Sequence, residues 1–400
     1  MSAVSGEPLR ARIVRFLLPA GTGRGAPAQA GGQTGTRFGT LLELRDVSGR
    51  SGWGEASPLP GYAGETPGHA AAALLAWLGA AEAGRTIESG FSGSPVEFAD
   101  LRLEHSPAAR AAVVSAVLDL AGHRGGVAIR DLLWDGSPVM SASAAGSASG
   151  IAANGSVPLN ALVPLTDADT AVQSAVTADR RGIRTIKAKL GSGQRFDIDL
   201  EVLRAVRDAV GPSIAIRLDA NGSWSVPEAR RNLDRLAELE PEYIEEPVPG
   251  SEMLELAGAA VPLAADESMQ EPELAARLLD SDAVSVIVLK PSLLGGLDRC
   301  MELAVRAATG GKRSVVTHSF EGPVGHGAAC ELGLAIAIAT AGVSGEQTTA
   351  VGLDRHPGLE AWSDVTVPQL RDSSLMPAAV SGHGIDPTPL LERSGADGSI

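Results

Sequence analysis

The chain has 400 residues, 44% hydrophobic and 20% charged, an ordinary globular composition with room for one large core and a smaller one. Its net charge of −15 argues against nucleic-acid or anionic-membrane partners, which need concentrated Lys and Arg. Two cysteines, Cys300 and Cys330, provide neither a disulfide framework nor a metal cluster.

The first residues, MSAVSGEPLRARIVRF, lack the unbroken apolar stretch of a signal peptide, and no run reaches the roughly 18 apolar residues of a membrane span. Ala11–Leu18 reads as a strand. A Gly/Ala/Thr/Gln stretch over 21–35 has too little apolar bulk to pack and reads as a loop. An alternating run from Thr40, a turn at Gly49 and the segment Gly52-Trp-Gly-Glu predict a hairpin. Helices are expected over Pro67–Ala83 and from Ser106-Pro107 to about Gly122, each opened by a proline whose missing N–H costs nothing there. Residues 1–135 are thus expected to form an α+β capping domain, followed by a Ser/Ala/Gly-rich linker over 136–155.

From Val157 the texture changes to short β-branched runs alternating with amphipathic helices. The expected strands are Val157–Val163, Thr185–Leu190, Ser213–Leu218, Tyr243–Glu245, Pro262–Ala265, Val284–Leu289, Ser314–Thr317 and Ala350–Leu353. This rhythm predicts an α/β fold, a TIM-like (β/α)7-8 barrel over 156–365, with the tail 366–400 packing on the capping domain. A doubly wound sheet would show the same alternation. The most apolar stretch, 332–341, is short and Ala-rich like a buried helix, and a soluble cytoplasmic protein is expected.

Polar residues at the strand ends favour the barrel. Five successive strands end on ionisable side chains: Lys187 and Lys189, then Asp219, Glu245 with Glu246, Asp266 with Glu267, and Lys290. Steps of 30, 26, 21 and 24 residues separate Lys189, Asp219, Glu245, Asp266 and Lys290, each about one βα repeat. Closure would bring them to the C-terminal rim, where barrel enzymes carry their active sites. Three carboxylates without His or Cys suit Mg²⁺ rather than Zn²⁺. Lys187 and Lys189, two apart on a strand, share a face, and like charges at close range should lower the pKa of at least one. Lys189 is then the expected base for a proton next to a carboxylate. Each motif alone has a plainer reading: a solvated strand face, a turn or a helix cap. Their joint order outweighs it.

With these residues in place, the sequence resembles the enolase superfamily, in its muconate-lactonising subgroup, over roughly residues 40–365. A Lys base with Mg²⁺ is a known pattern of that superfamily. The resemblance implies Lys189 as acid/base, with Lys187 beside it. It implies Asp219, Glu245 and Asp266 as ligands of Mg²⁺ (Mn²⁺ as a substitute), and Lys290 across the substrate. Residues 52–66 (GWGEASPLPGYAGET), Val114–Leu120 and Ile216–Asn221 further resemble o-succinylbenzoate synthases. That implies syn-dehydration of 2-succinyl-6-hydroxy-2,4-cyclohexadiene-1-carboxylate through an enediolate, with Lys290 over the ring face. The implied substrate contacts are Asn221, Ser319, Glu321, Gly322, Pro60 and Tyr62.

The segment Thr317–Gly325 keeps Ser319, Glu321 and Gly325 of the synthase pattern, but Pro323 has no N–H to offer a succinyl carboxylate. His318 stands where some relatives carry a base; with Lys290 present it reads as a polar pocket wall. A racemase of N-acylamino acids or a dipeptide epimerase would use the same metal and lysines, and a non-catalytic barrel would keep only the fold. The partner in either enzyme is a small carboxylate, and a homo-oligomer is compatible with a superfamily of monomers and larger assemblies.

Overall fold

The computed structural model describes residues 9–19, 36–61, 64–82, 103–135, 155–341 and 348–394. The expected loop over 21–35, nearly all of the 136–155 linker and Tyr62 lie outside them.

The N-terminal unit is an antiparallel sheet of β1 (Arg10–Pro19), β2 (Thr36–Arg45) and β3 (Ser51–Ala56), backed by α1 (Pro67–Glu82) and α2 (Pro107–Gly125). Alternation sends Ile13, Leu42 and Leu44 toward the helices, against Ala70, Leu74, Ala112 and Val113. The opposite face carries Val14, Phe16, Leu18 and Leu41, and it packs on Val324, Trp362, Ile385 and Leu390. Both faces of the three-stranded sheet therefore bury apolar side chains, with Leu17 and Phe38 left exposed, and chain from beyond residue 365 helps cover one of them. Gly52 and Gly54 bring β3 onto the backbone of α2. A Cβ at Gly54 would lie 1.8 Å from the carbonyl oxygen of Ala112.

Seven parallel strands follow in strict chain order: β5 (Asn160–Leu162), β6 (Thr185–Lys189), β7 (Ala215–Asp219), β8 (Tyr243–Glu245), β9 (Leu263–Ala265), β10 (Val286–Leu289) and β11 (Arg313–Val316). The expected first strand, Val157–Val163, divides. Val157–Pro158 forms β4, antiparallel to Ser374–Leu375, before β5 begins. The expected eighth strand at 350–353 reduces to two parallel bridges, Leu159↔Val351 and Thr317↔Gly352, which join the two edges of the sheet. Gly352 makes that closure, since a Cβ there would stand 2.5 Å from Oγ1 of Thr317. The barrel expectation holds, with its last strand only a seam.

The helix Pro323–Thr340 is the one helix among the described residues long and apolar enough, by length and composition, to cross a bilayer, and it contains nearly all of the stretch expected as a buried helix. It is a core helix: 78% of that window is buried inside the protein, against the barrel and the capping sheet.

A charged plug fills the barrel floor. Arg217, 1% exposed, bonds Glu242 at 2.7 Å, Asn160 at 3.0 Å and the carbonyl of Ala350 at 2.8 Å, and its guanidinium lies 5.0 Å over the Tyr243 ring. Arg313 adds a second ion pair to Glu242. Among the described residues, this plug closes the end of the barrel opposite the rim.

Candidate active site at the barrel rim

Strand register gathers the ionisable residues. Lys189 pairs with Asp219, and Asp219 with Glu245, as direct neighbours across β6, β7 and β8. Side chains two apart point to one face, so Lys187, Lys189, Asp219 and Glu245 all face inward while Ala188 and Leu218 pack outward. Asp266 follows β9, and Lys290 follows β10.

Nζ of Lys187 donates to both oxygens of Glu245, at 2.6 and 2.7 Å, and lies 3.0 Å from Oδ2 of Asp219. Lys290 donates to Oδ2 of Asp266. The three acids are 1–3% exposed. Burial alone would raise Asp219, but the ammonium groups of Lys187, Lys189 and Lys290 hold its carboxyl at about 2. Glu245 is pushed well up instead, by burial and by the charges of Asp219 and Asp266. Acids this close cannot ionise independently. At Lys187 the shift runs opposite to the lowering expected for at least one of the two lysines. Burial works against its charge, yet Asp219, Glu245 and Asp266 raise it well above the usual lysine range. Neighbouring carboxylates outweigh the neighbouring lysine.

Lys189 is held differently. Its Nζ lies 2.8 Å from Oδ1 of Asn221 and 4.0 Å from Asp219. Asn221 sits at φ 45°, in the left-handed region, and its Nδ2 donates to Glu267 at 2.9 Å. Glu246 turns away from the rim and accepts the N–H groups of Asp266 and Ser268 at 2.8 and 3.0 Å. Asn221, expected at the substrate, thus orients the lysine.

One ammonium touching both Asp219 and Glu245 shows that a single cation can be shared between them, and the donor set is entirely carboxylate oxygen. These residues fit a hard divalent cation. Among the described residues, no three acid, His or Cys side chains are already closed around a common point; Lys187 and Lys290 hold those oxygens.

Lys187, Lys189, Asp219 and Lys290 line one cavity with Leu59, Leu162, His318, Ser319, Phe320 and Arg355. Of the expected substrate contacts, Ser319 is on this wall, its Oγ buried without a hydrogen-bond partner. Glu321 and Gly322 are engaged elsewhere. Glu321 accepts from the Ser319 N–H and the Ser292 hydroxyl, while the Gly322 N–H goes to Glu55 of the capping sheet. Pro60 is half-buried beside Leu59 but off the cavity wall.

A family model described as "Enolase C-terminal domain-like" matches residues 169–390, more than half of the chain. The chain belongs to this family. Among curated members of the enolase superfamily, the o-succinylbenzoate synthase of Thermobifida fusca (strain YX) is 36% identical over 183 residues, 45% of this chain and 56% of that one. The chain spans about half the length of the curated relatives it matches. Muconate cycloisomerase from Pseudomonas fluorescens superposes with a TM-score of 0.74 at 23% identity, over 100% of this chain and 99% of that one. A dipeptide epimerase from Enterococcus faecalis V583, complexed with Mg and the dipeptide L-Leu-L-Tyr, gives 0.72 at 22%, over 95% and 99%. At such identities the two structures establish the enolase-type fold of barrel and capping domain, and nothing about substrate.

Arg355, Leu59 and Leu162 are among the wall residues of this enolase-family chain that the sequence did not announce. Arg355 follows the seam at 351–352, where no full strand marks a rim position. Leu59 and Leu162 look like ordinary apolar residues; only closure of the barrel, and of the capping sheet over it, turns them inward.

Proposed function

We propose that the protein is a Mg²⁺-dependent o-succinylbenzoate synthase, a hydro-lyase that dehydrates 2-succinyl-6-hydroxy-2,4-cyclohexadiene-1-carboxylate in menaquinone biosynthesis. The observation that carries this reading is a cavity with lysines on different strands around a buried carboxylate cluster, Lys189 on β6 and Lys290 after β10. Mg²⁺, with Mn²⁺ as a substitute, would be held by Asp219, Glu245 and Asp266 and would supply positive charge opposite the substrate carboxylate.

The amine of Lys189 takes the proton next to that carboxylate. The same proton then leaves with the hydroxyl on the same face, so C–H and C–O bonds break, a ring double bond forms, and water departs with Lys189 restored. Lys290, raised by Asp266 and Glu245 against the effect of its burial, keeps its ammonium beside the developing negative charge. Ser319 Oγ offers an unused hydroxyl to the substrate. Arg355, exposed at the cavity wall, suits the second, succinyl carboxylate. The curated relatives of this name support the reading over the part of the chain they match.

The test is formation of o-succinylbenzoate by the purified protein with Mg²⁺ and after chelation. Metal-dependent product formation is expected. Fast α-proton exchange on N-succinylamino acids without any dehydration would replace this reading with a racemase.

A further inference from the structure

We propose that His318 meets the substrate as a neutral hydrogen-bond donor through Nε2–H and transfers no proton. The proposal rests on the cavity being the substrate site.

The Phe320 N–H donates to Nδ1 of His318 at 3.3 Å. A nitrogen that accepts carries no hydrogen, so the neutral ring bears its proton on Nε2. Phe320 holds φ 61°, a left-handed conformation that a bulky side chain rarely adopts, in the two-residue turn that makes this contact. His318 lines the cavity, and Nε2 is its one polar side-chain atom left over. The neighbouring Ser319 Oγ, buried and unpartnered, stands on the same wall. A buried hydroxyl with no protein partner thus stands beside His318.

Two further rings pack against the first. His318 stacks on His356 with centroids 4.1 Å apart, and His356 packs on His326 at 5.1 Å. The Gly358 N–H donates to Nδ1 of His356 at 3.1 Å, which leaves Nε2–H of His356 to donate to Nδ1 of His326 at 3.3 Å. Nε2–H of His326 then donates to the carbonyl of Leu353 at 3.1 Å. Each of these contacts pairs one donor with one acceptor only when the rings are neutral, and the Nε2–H of His318 is then left for the cavity. A second proton on any of them would have to sit on an Nδ1 that already faces an N–H. Beside burial, the groups acting on His318 are His326 of the helix Pro323–Thr340, Lys290 after β10 and Lys187 from β6, all disfavouring its charge, and Arg37 of β2 acts on His356 in the same sense. Burial and these charges push His318 well below its ordinary value. A neutral N–H beside a hydroxyl recognises an oxygen acceptor such as a ketone, hydroxyl or carboxylate oxygen.

Histidine ¹⁵N NMR of the Mg²⁺-loaded protein, assigned with His318→Gln, reads the tautomer without any turnover. The expected result is an Nε2–H ring that does not titrate between pH 5.5 and 9; an Nδ1–H tautomer or a midpoint inside that range would overturn the proposal. In the dehydration assay, His318→Gln, which restores a terminal N–H, should keep kcat/KM within about 10-fold, while His318→Leu should lose about 100-fold. An equal collapse of both variants, by ~10³-fold, would instead mark a proton-transfer residue and overturn it. Absence of dehydratase activity in the unmodified protein would sink the proposed reaction and leave the NMR result to decide the tautomer alone.

Discussion

Asn221 holds Lys189 by its amide oxygen, at 2.8 Å, while Glu267 fixes the amide nitrogen at the other end. The lysine assigned to proton transfer is therefore anchored by an amide, whereas Lys187 is gripped by Glu245 and Asp219 and Lys290 bonds Asp266. Lys189→Ala should lower kcat by at least about 10³-fold with circular dichroism and Mg²⁺ binding unchanged. Asn221→Ala should leave the lysine and lose its aim, with a smaller fall of roughly 10-fold. Retained turnover in Lys189→Ala would remove the base assignment.

Asp219→Asn should weaken Mg²⁺ binding by about 10-fold or more in calorimetric titration, because it removes one charged oxygen ligand. Affinity equal to that of the unmodified protein would show that the cation sits elsewhere.

The buried histidines set an acid limit. His326 is lowered to about 4 by burial, and His318, His356 and His383 are lowered as well, burial being the main cause in each. A folded value below the unfolded one means that the unfolded chain binds the extra proton first. The stabilisation is complete above the ordinary histidine value near 6.5 and is lost as pH falls toward and through 4. For His326 alone this amounts to about 3 kcal/mol. Thermal midpoints should decline over this window, and His326→Gln should flatten the decline. A flat profile in the unmodified protein would contradict the burial of these rings.

Gly54→Ala should be among the most disruptive single methyl additions, since its Cβ would land on the Ala112 carbonyl. A loss of about 3 kcal/mol or failure to fold is expected, read by denaturant unfolding. Gly49→Ala meets no atom within 4 Å and pays only for its positive φ, so it should be milder.

Arg355→Ala should raise KM for a dicarboxylate substrate about 10-fold and leave kcat nearly unchanged, because the charge lies away from the reacting carbon. Equal effects on a monocarboxylate analogue would show that Arg355 does not read the second charge.

The rim was legible because barrel geometry converts even spacing along the chain into adjacency, and Lys187 through Lys290 carry that spacing openly. Arg217 was not legible as a plug. A charged residue in mid-strand looks like a solvated face until Glu242 and Tyr243 are known to meet it inside. The histidine stack carried no signal, since His326 and His356 come from segments after the strands and converge only through packing. Gly322 was misread for a related reason: nothing near it in the chain announces that Glu55, 267 residues earlier, takes its N–H.

Glu55 also accepts the N–H of Gly325, at 2.9 Å, and Arg37 bonds the carbonyl of Phe320, so two residues of the capping sheet grip the turn that carries His318 and Ser319. Pocket shape is consequently shared property. A chimera that exchanges capping domains between relatives would reset the aim of the barrel's own wall unless Arg37 and Glu55 travelled with it, and selectivity cannot be engineered by editing either half in isolation.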